Sequence, residues 1–286
     1  MCRVSVLLSL VFPSLALAVQ KADVVVYGGS SAGITAAIQT ARMGKNVILI
    51  EPSQFLGGLT TGGLGATDIG NKKAIGGISR EFYVGIREYY DNPLSWKQEA
   101  REDYFSSRTR SSGKEDAQWT FEPKVASAVF SRMLEAVKDH VTVVYGERLD
   151  LKAGVKKEGA RVTQIVMESG KVFTGVMFID ATYEGDLMAK AGVTYHVGRE
   201  ANSAFGETIN GVQSVGAKHH QFIVNVDPYV TKGDPASGLL PGIAADGPGE
   251  EFSGDRKIQA YNFRMCTTDV PENRRDWEKP ANYDSK

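Results

Sequence analysis

The chain has 286 residues, 42% hydrophobic and 23% charged, the make-up of a globular protein with material for one large core or two smaller ones. Its 33 basic and 34 acidic residues leave a net charge of −1, and the basic residues are scattered, which excludes the basic face of a nucleic-acid binder. Two cysteines, Cys2 and Cys266, exclude a disulfide-built scaffold.

Residues 1–18 read as a secretory signal. Arg3 gives a positive start, residues 4–17 are apolar, and Ala16-Leu17-Ala18 supplies the small side chains that signal peptidase accepts. The apolar stretch is interrupted by Pro13 and falls short of the about 20 residues that a membrane-spanning helix needs. No twin arginine precedes it, so export unfolded is expected, and no later segment reads as a membrane span. Cleavage leaves Cys266 alone, which rules out an internal disulfide and a paired-cysteine redox mechanism.

The next segment carries the most information. Residues 24–27 form an apolar strand that runs into Gly28-Gly29-Ser30-Ser31-Ala32-Gly33. A helix follows, with Ile34, Ala37, Ile38 and Ala41 on one face and Gly44 at its end; a second apolar strand, 47–50, then stops on Glu51. This strand–turn–helix–strand order suits an adenine dinucleotide. The turn directs backbone N–H groups and a helix N-terminus at a pyrophosphate, and Glu51 is placed to accept hydrogen bonds from a ribose diol. A carboxylate there repels a 2′-phosphate, which argues against NADP. Ser30 stands where the usual pattern has its middle glycine, the point of close approach to phosphate; serine is small and able to donate a hydrogen bond of its own.

Eight glycines lie between Gly57 and Gly77, a density that suits irregular backbone pressed against a ligand. An NAD-binding domain normally moves quickly into its next helix; this chain does not. Further on, residues 123–138 form a helix whose stripe of Val125, Ala128, Val129, Met133, Leu134 and Val137 reads as core. A strand at 141–145 leads into Gly146-Glu147-Arg148-Leu149. Residues 162–167, the turn Ser169-Gly170-Lys171 and residues 172–174 read as a β-hairpin, followed by an apolar strand that ends on Ala181-Thr182.

Three stretches carry a family likeness: DVVVYGGSSAGITAAIQTARMGKNVILIEPSQFLGGLTTGGLG, FIDATYEGDLMAKAGVTYHVGREAN and IQAYNFRMCTTDVPENR. Through them residues 22–284 resemble the FAD-dependent oxidoreductase family of the glutathione-reductase-like and fumarate-reductase-like flavoproteins. The resemblance implies FAD, a redox reaction, a small-molecule substrate and a separate electron acceptor. It also implies site roles. Gly57-Gly58 with Thr60 and Thr61 would lie along the FAD pyrophosphate, backbone near Leu149 would meet adenine, and Ala181-Thr182 would emerge beside the cofactor. With the turn residues Gly28, Gly29, Ser30, Ser31, Ala32, Gly33 and with Glu51, these make up the expected cofactor site.

The fold class expected is α/β. A Rossmann-like FAD-binding domain over 22–195, with a parallel sheet and a β-hairpin, precedes a β-rich cap that begins over 196–286. The family implies a considerably longer chain, with a returning Gly-Asp segment near its end. Gly254-Asp255 follows a polar stretch with no strand before it and reads as a surface turn, so the chain reads as shortened and as a weak FAD binder on its own.

Candidates for chemistry are fewer. Glu184 and Asp186 follow Ala181-Thr182, where acids also suit the first turn of a helix over 187–191. Arg199 and Arg264 have the planar fork that clamps a carboxylate. His196 suits a general acid or base, a covalent flavin attachment point or a structural histidine. His219-His220 precedes an expected strand at 222–226. Cys266 sits in an apparent buried strand, 261–266, and reads as core. No clustered ligands suggest a metal. Competing readings are a non-catalytic dinucleotide-binding remnant and an NAD-linked dehydrogenase; no carboxylate or aromatic pattern supports a polysaccharide lyase.

Overall fold

Alternating burial along β1 (Gln20–Tyr27) places it between two cores. Val26 faces one side of the sheet, and Val25 and Tyr27 the other. In the computed structural model, which describes residues 19–97, 99–107, 115–217, 222–259 and 264–283, this strand is central to a six-stranded sheet. Its order is β3-β2-β1-β6-β5-β4, with β2 (Val47–Glu51), β3 (Val141–Tyr145), β4 (Val155–Glu158), β5 (Arg161–Val166) and β6 (Val172–Asp180). The four strands β3, β2, β1 and β6 run parallel, while β5 and β4 turn back antiparallel. A central parallel strand is covered on both faces, which is why β2 is an unbroken apolar run rather than an alternating one.

One core forms where α1 (Ser31–Arg42) and α5 (Pro123–Glu135) cover the sheet together with α3 (Gly77–Asp91). Ile34 and Ile38 meet Phe82, Ile86, Val125, Val129 and Phe130 there. Gly85 lets α3 lie close against α5: a Cβ at that position would stand 2.8 Å from Val129 Cγ1. Phe82 stacks on Phe130 with ring centroids 4.4 Å apart. On the opposite face Leu149, Ile165, Met167, Phe173 and Leu187 pack against Val25, Tyr27, Ile48 and Ile50.

The first strand, helix and second strand match the sequence reading, and so does the hairpin, except that residues 172–180 make one continuous strand. Its first part pairs with β5 while nearly its whole length pairs with β1. Strand β4 and helix α3 were not foreseen. Helix α5 stops at Glu135 rather than Lys138, and Ala126 and Phe130 fill the core where Ala128 was expected, since Ala128 is exposed. The glycine-dense stretch is pinned by Trp119 and Phe121: Thr67 donates to Trp119 O at 3.0 Å and Phe121 to Gly65 O at 2.8 Å.

The chain forms two units, one up to Val193 together with the chain from Arg264, the other Thr194–Phe263. The second unit departs from expectation. Its described residues form no strand beyond two isolated bridges, Arg199 with Asp255 and Tyr229 with Leu239; they also form one short α-helix, α7 (Asn202–Phe205), and a 3-10 turn at Pro235–Ser237. Residues 222–226 are irregular, and Phe222, Ile223 and Val224 are exposed. Asp255, read as part of a surface turn, is instead paired backbone to backbone with Arg199. Of the apparent strand at 261–266, Arg264, Met265 and Cys266 are exposed coil of the first unit, so Cys266 is not a core residue. Residues 1–18, His219, His220 and 261–263 lie outside the described residues. No described helix is long and apolar enough to cross a membrane.

Candidate functional site

The turn after β1 is shaped by what its glycines lack. Gly28 has φ +102°, and a Cβ on it would stand 2.7 Å from both Ala181 C and Thr182 N, so the turn lies flat against the exit of β6. A Cβ on Gly33 would collide with Gly28 O, so only glycine lets α1 start directly on the turn. Ser30 caps that helix, its Oγ accepting from Gly33 N at 3.4 Å. The same hydroxyl donates to Ala181 O at 2.6 Å. Its one proton is therefore engaged inside the protein.

Glu51 ends β2 at the cavity wall. Oε2 accepts from Gly29 N and Oε1 from Ser53 N, each at 2.7 Å. A carboxylate has about four acceptor sites, so both oxygens can still receive a diol. Past Glu51 the doublet takes positive φ at Gly57 (+98°) and Gly58 (+53°), which bends the chain into the short helix α2 (Gly58–Thr61). Gly57 N donates to Gly29 O at 2.7 Å, Ser31 Oγ donates to Gly57 O at 3.1 Å, and Thr61 Oγ1 donates to Leu56 O at 2.6 Å.

These segments wall a cavity of about 710 Å³, within the range of cofactor sites. Of the expected cofactor residues, Gly28, Ser30, Glu51, Gly58, Thr61, Ala181 and Thr182 line it. Gly29, Ser31, Gly33, Gly57 and Thr60 stand behind as support, and Ala32 is exposed on α1. Leu149 is a correction: it is buried in the second core, and its N–H donates to Tyr27 Oη at 3.0 Å, so it does not face the cavity.

The candidates for chemistry stand in different surroundings. Glu184 lines the cavity, whereas Asp186 opens α6 (Asp186–Lys190) outside it. The exit of β6 is organised by a residue not singled out in the sequence, Asp180. One of its oxygens accepts from Thr182 N (3.0 Å) and Thr182 Oγ1 (2.7 Å), the other from Met188 N (2.8 Å). In the second unit His196 lines a separate, open hollow, and the Arg199 fork is held by Asp255. That pairing holds the Asp255 carboxyl down at about 2. Arg199 is therefore not a free carboxylate clamp. Arg264 is exposed, its Cβ 2.8 Å from where a Cβ of Gly63 would stand.

The cavity also takes residues to which the sequence reading gave no role: Ser53, Gln54 and Phe55 after β2, Ser127, Phe130 and Ser131 on α5, Tyr145 at the end of β3, and Tyr183. Ser127 and Ser131 are four apart, one helical face, a signal hidden beside the apolar stripe. Partial burial pushes the Tyr145 phenol above its ordinary range and the nearby Glu51 carboxylate adds to the rise, so Tyr145 stays a proton donor at neutral pH. A cavity lined by Gly28, Gly58 and Gly62 with the Glu51 carboxylate on its wall fits an adenine dinucleotide: it offers close backbone approach and an acceptor for a ribose.

The family model for FAD-dependent oxidoreductases matches residues 23–286, and the chain belongs to that family. FAD is the cofactor this membership carries. Among solved structures the chain is similar to L-proline dehydrogenase from P. horikoshii (15% identity, 63% of this chain and 58% of that one, TM-score 0.39). It is also similar to a geranylgeranyl bacteriochlorophyll reductase-like protein from Thermoplasma acidophilum (20% identity, 62% and 43%, TM-score 0.38). L-amino acid deaminase from Proteus vulgaris aligns at 15% identity over 59% and 55%, TM-score 0.37. The chain thus spans about half the length of these structures. Among curated proteins no relative matches.

Proposed function

We propose that this chain is the cofactor-holding part of an exported FAD-dependent oxidoreductase that acts on a small organic substrate and passes electrons to a separate acceptor. The observation that carries the reading is one cavity walled jointly by the turn after β1, Glu51, Gly58 of the glycine doublet and the exit of β6. Glu51 would hold the adenosine ribose, with Tyr145 beside it. The turn and Gly57-Gly58 would lie along the pyrophosphate. Bound FAD supplies hydride acceptance and donation at its N5. The protein's part is to hold the cofactor, exclude water and place a proton carrier, and Glu184 is the acid that lines the cavity. Export rests on residues 1–18, and N-terminal sequencing of the secreted form should begin at Val19.

A second reading, dinucleotide holding without turnover, draws on the surroundings of the remaining candidates. Asp186 lies outside the cavity, and Arg199 is engaged by Asp255. Anaerobic mixing of the FAD-loaded protein with a panel of small acids, amines and sugars separates the two. Bleaching of the flavin absorbance by one class is expected; retained FAD with no bleaching by any of them favours the second reading.

A further inference from the structure

The three segments that wall the cavity are joined in pairs by hydroxyl groups, and the pairs close into a ring. Ser30 links the turn to the exit of β6 through Ala181 O, at 2.6 Å. Ser31 links the turn to the doublet: its Oγ donates to Gly57 O at 3.1 Å and meets Thr60 Oγ1 at 2.6 Å. A serine hydroxyl has one proton, so Thr60 donates to Ser31 and Ser31 to Gly57, a directional relay. The third link joins the doublet to the exit of β6. Leu59 N donates to Tyr183 Oη at 2.8 Å, and Gly58 makes the room, because a Cβ there would run into that phenol.

We infer that Tyr183 is a positioning residue that closes this ring and holds the cavity open in its binding shape before the cofactor arrives. The inference rests on the FAD reading above. With two links the three segments form an open chain, free to hinge at the missing joint; the third fixes their spacing. The side chain suits the task. Tyr183 lines the cavity and is 62% exposed, so packing does not hold it in place and its phenol oxygen does. Loss of that oxygen lowers the fraction of molecules competent to bind. A lower competent fraction slows association and leaves dissociation of the formed complex unchanged, whereas a lost direct contact to the ligand speeds dissociation.

The test is stopped-flow binding of FAD to the chain, followed by quenching of flavin emission, in the wild type, Tyr183→Phe, Ser30→Ala and the double variant. A neutral hydrogen bond translates to roughly a two- to tenfold effect, so each single variant should slow association by about that factor at unchanged dissociation. The double variant should slow it by less than the product of the two, since losing either link already opens the ring. Faster dissociation of Tyr183→Phe at unchanged association, or no change in either rate, overturns the inference. Should the wild type bind no FAD, the functional reading fails but the ring is still tested. Amide exchange at Leu59 should be faster in Tyr183→Phe than in the wild type, and equal exchange overturns it.

Discussion

Glu51 and Gly29 are joined at 2.7 Å, carboxylate to amide, so the acid that faces the cavity is fixed in place by the turn it works with. Its second oxygen is fixed by Ser53 N. This makes the end of β2 and the turn after β1 a single unit, and it makes Glu51 both a support and a cavity-facing group.

The dual role shapes the first prediction. Glu51→Arg would disturb both backbone bonds as well as the proposed ribose contact, so the informative change is Glu51→Gln, which keeps size and one acceptor but removes the charge. A hydrogen bond to a charged partner contributes about 1.5–3 kcal/mol, which is roughly 10- to 150-fold in FAD affinity. Titration of FAD against both proteins measures it, with the melting temperature as a check on the fold. Equal affinity would mean that Glu51 serves only the backbone.

Much of this was legible in the sequence because glycine position and strand ends are local signals. Gly28, Gly33, the doublet and Glu51 each announce themselves by spacing, and the structure brings them to one cavity or its supporting wall. What escaped depends on long-range packing. Helix α3 spaces Phe82, Ile86 and Tyr90 at four-residue intervals, yet it starts at the end of a glycine-rich run that read as irregular. Ser127 and Tyr145 became cavity residues only when α5 and β3 were placed beside β2. Leu149 was misplaced because backbone after β3 was expected to face a ligand, while Tyr27 Oη takes its N–H into the core. The cap residues 222–226 alternate poorly and find no partner strand among the described residues.

The turn gives a steric prediction. A Cβ on Gly33 would overlap Gly28 O, a backbone atom that cannot step aside, so Gly33→Ala should lower stability by about 2–3 kcal/mol. Gly70, where a Cβ meets nothing within 4 Å, is the control; Gly70→Ala should stay within about 0.5 kcal/mol. Denaturant unfolding compares them. Equal midpoints would remove the close turn–helix contact from the account.

A buried carboxylate supplies a pH dependence. Burial pushes the Glu147 carboxyl up, but Lys171 Nζ at 2.6 Å and Ser169 Oγ at 2.6 Å outweigh it, and the group titrates below the ordinary carboxylate range. With its folded value below its unfolded value, this stabilisation is complete above about pH 4.3 and is lost as pH falls through the depressed value. Lys171→Met leaves the carboxylate buried without its cation, which should cost about 1–3 kcal/mol at neutral pH. Burial then raises the carboxyl, so the penalty is relieved as acid protonates it. Melting temperatures from neutral to acidic pH should show the gap between wild type and variant narrowing; a constant gap would contradict the pairing.

In the proposed arrangement residues 28–33, Glu51, the doublet and the exit of β6 build one site for FAD. Equilibrium titration of the purified chain with FAD, repeated with ADP as competitor, tests it most directly. Saturable binding of one FAD per chain that ADP displaces is expected, because Glu51 and the turn would hold the adenosine end. A protein that takes up no FAD, or whose bound FAD is indifferent to excess ADP, would contradict it.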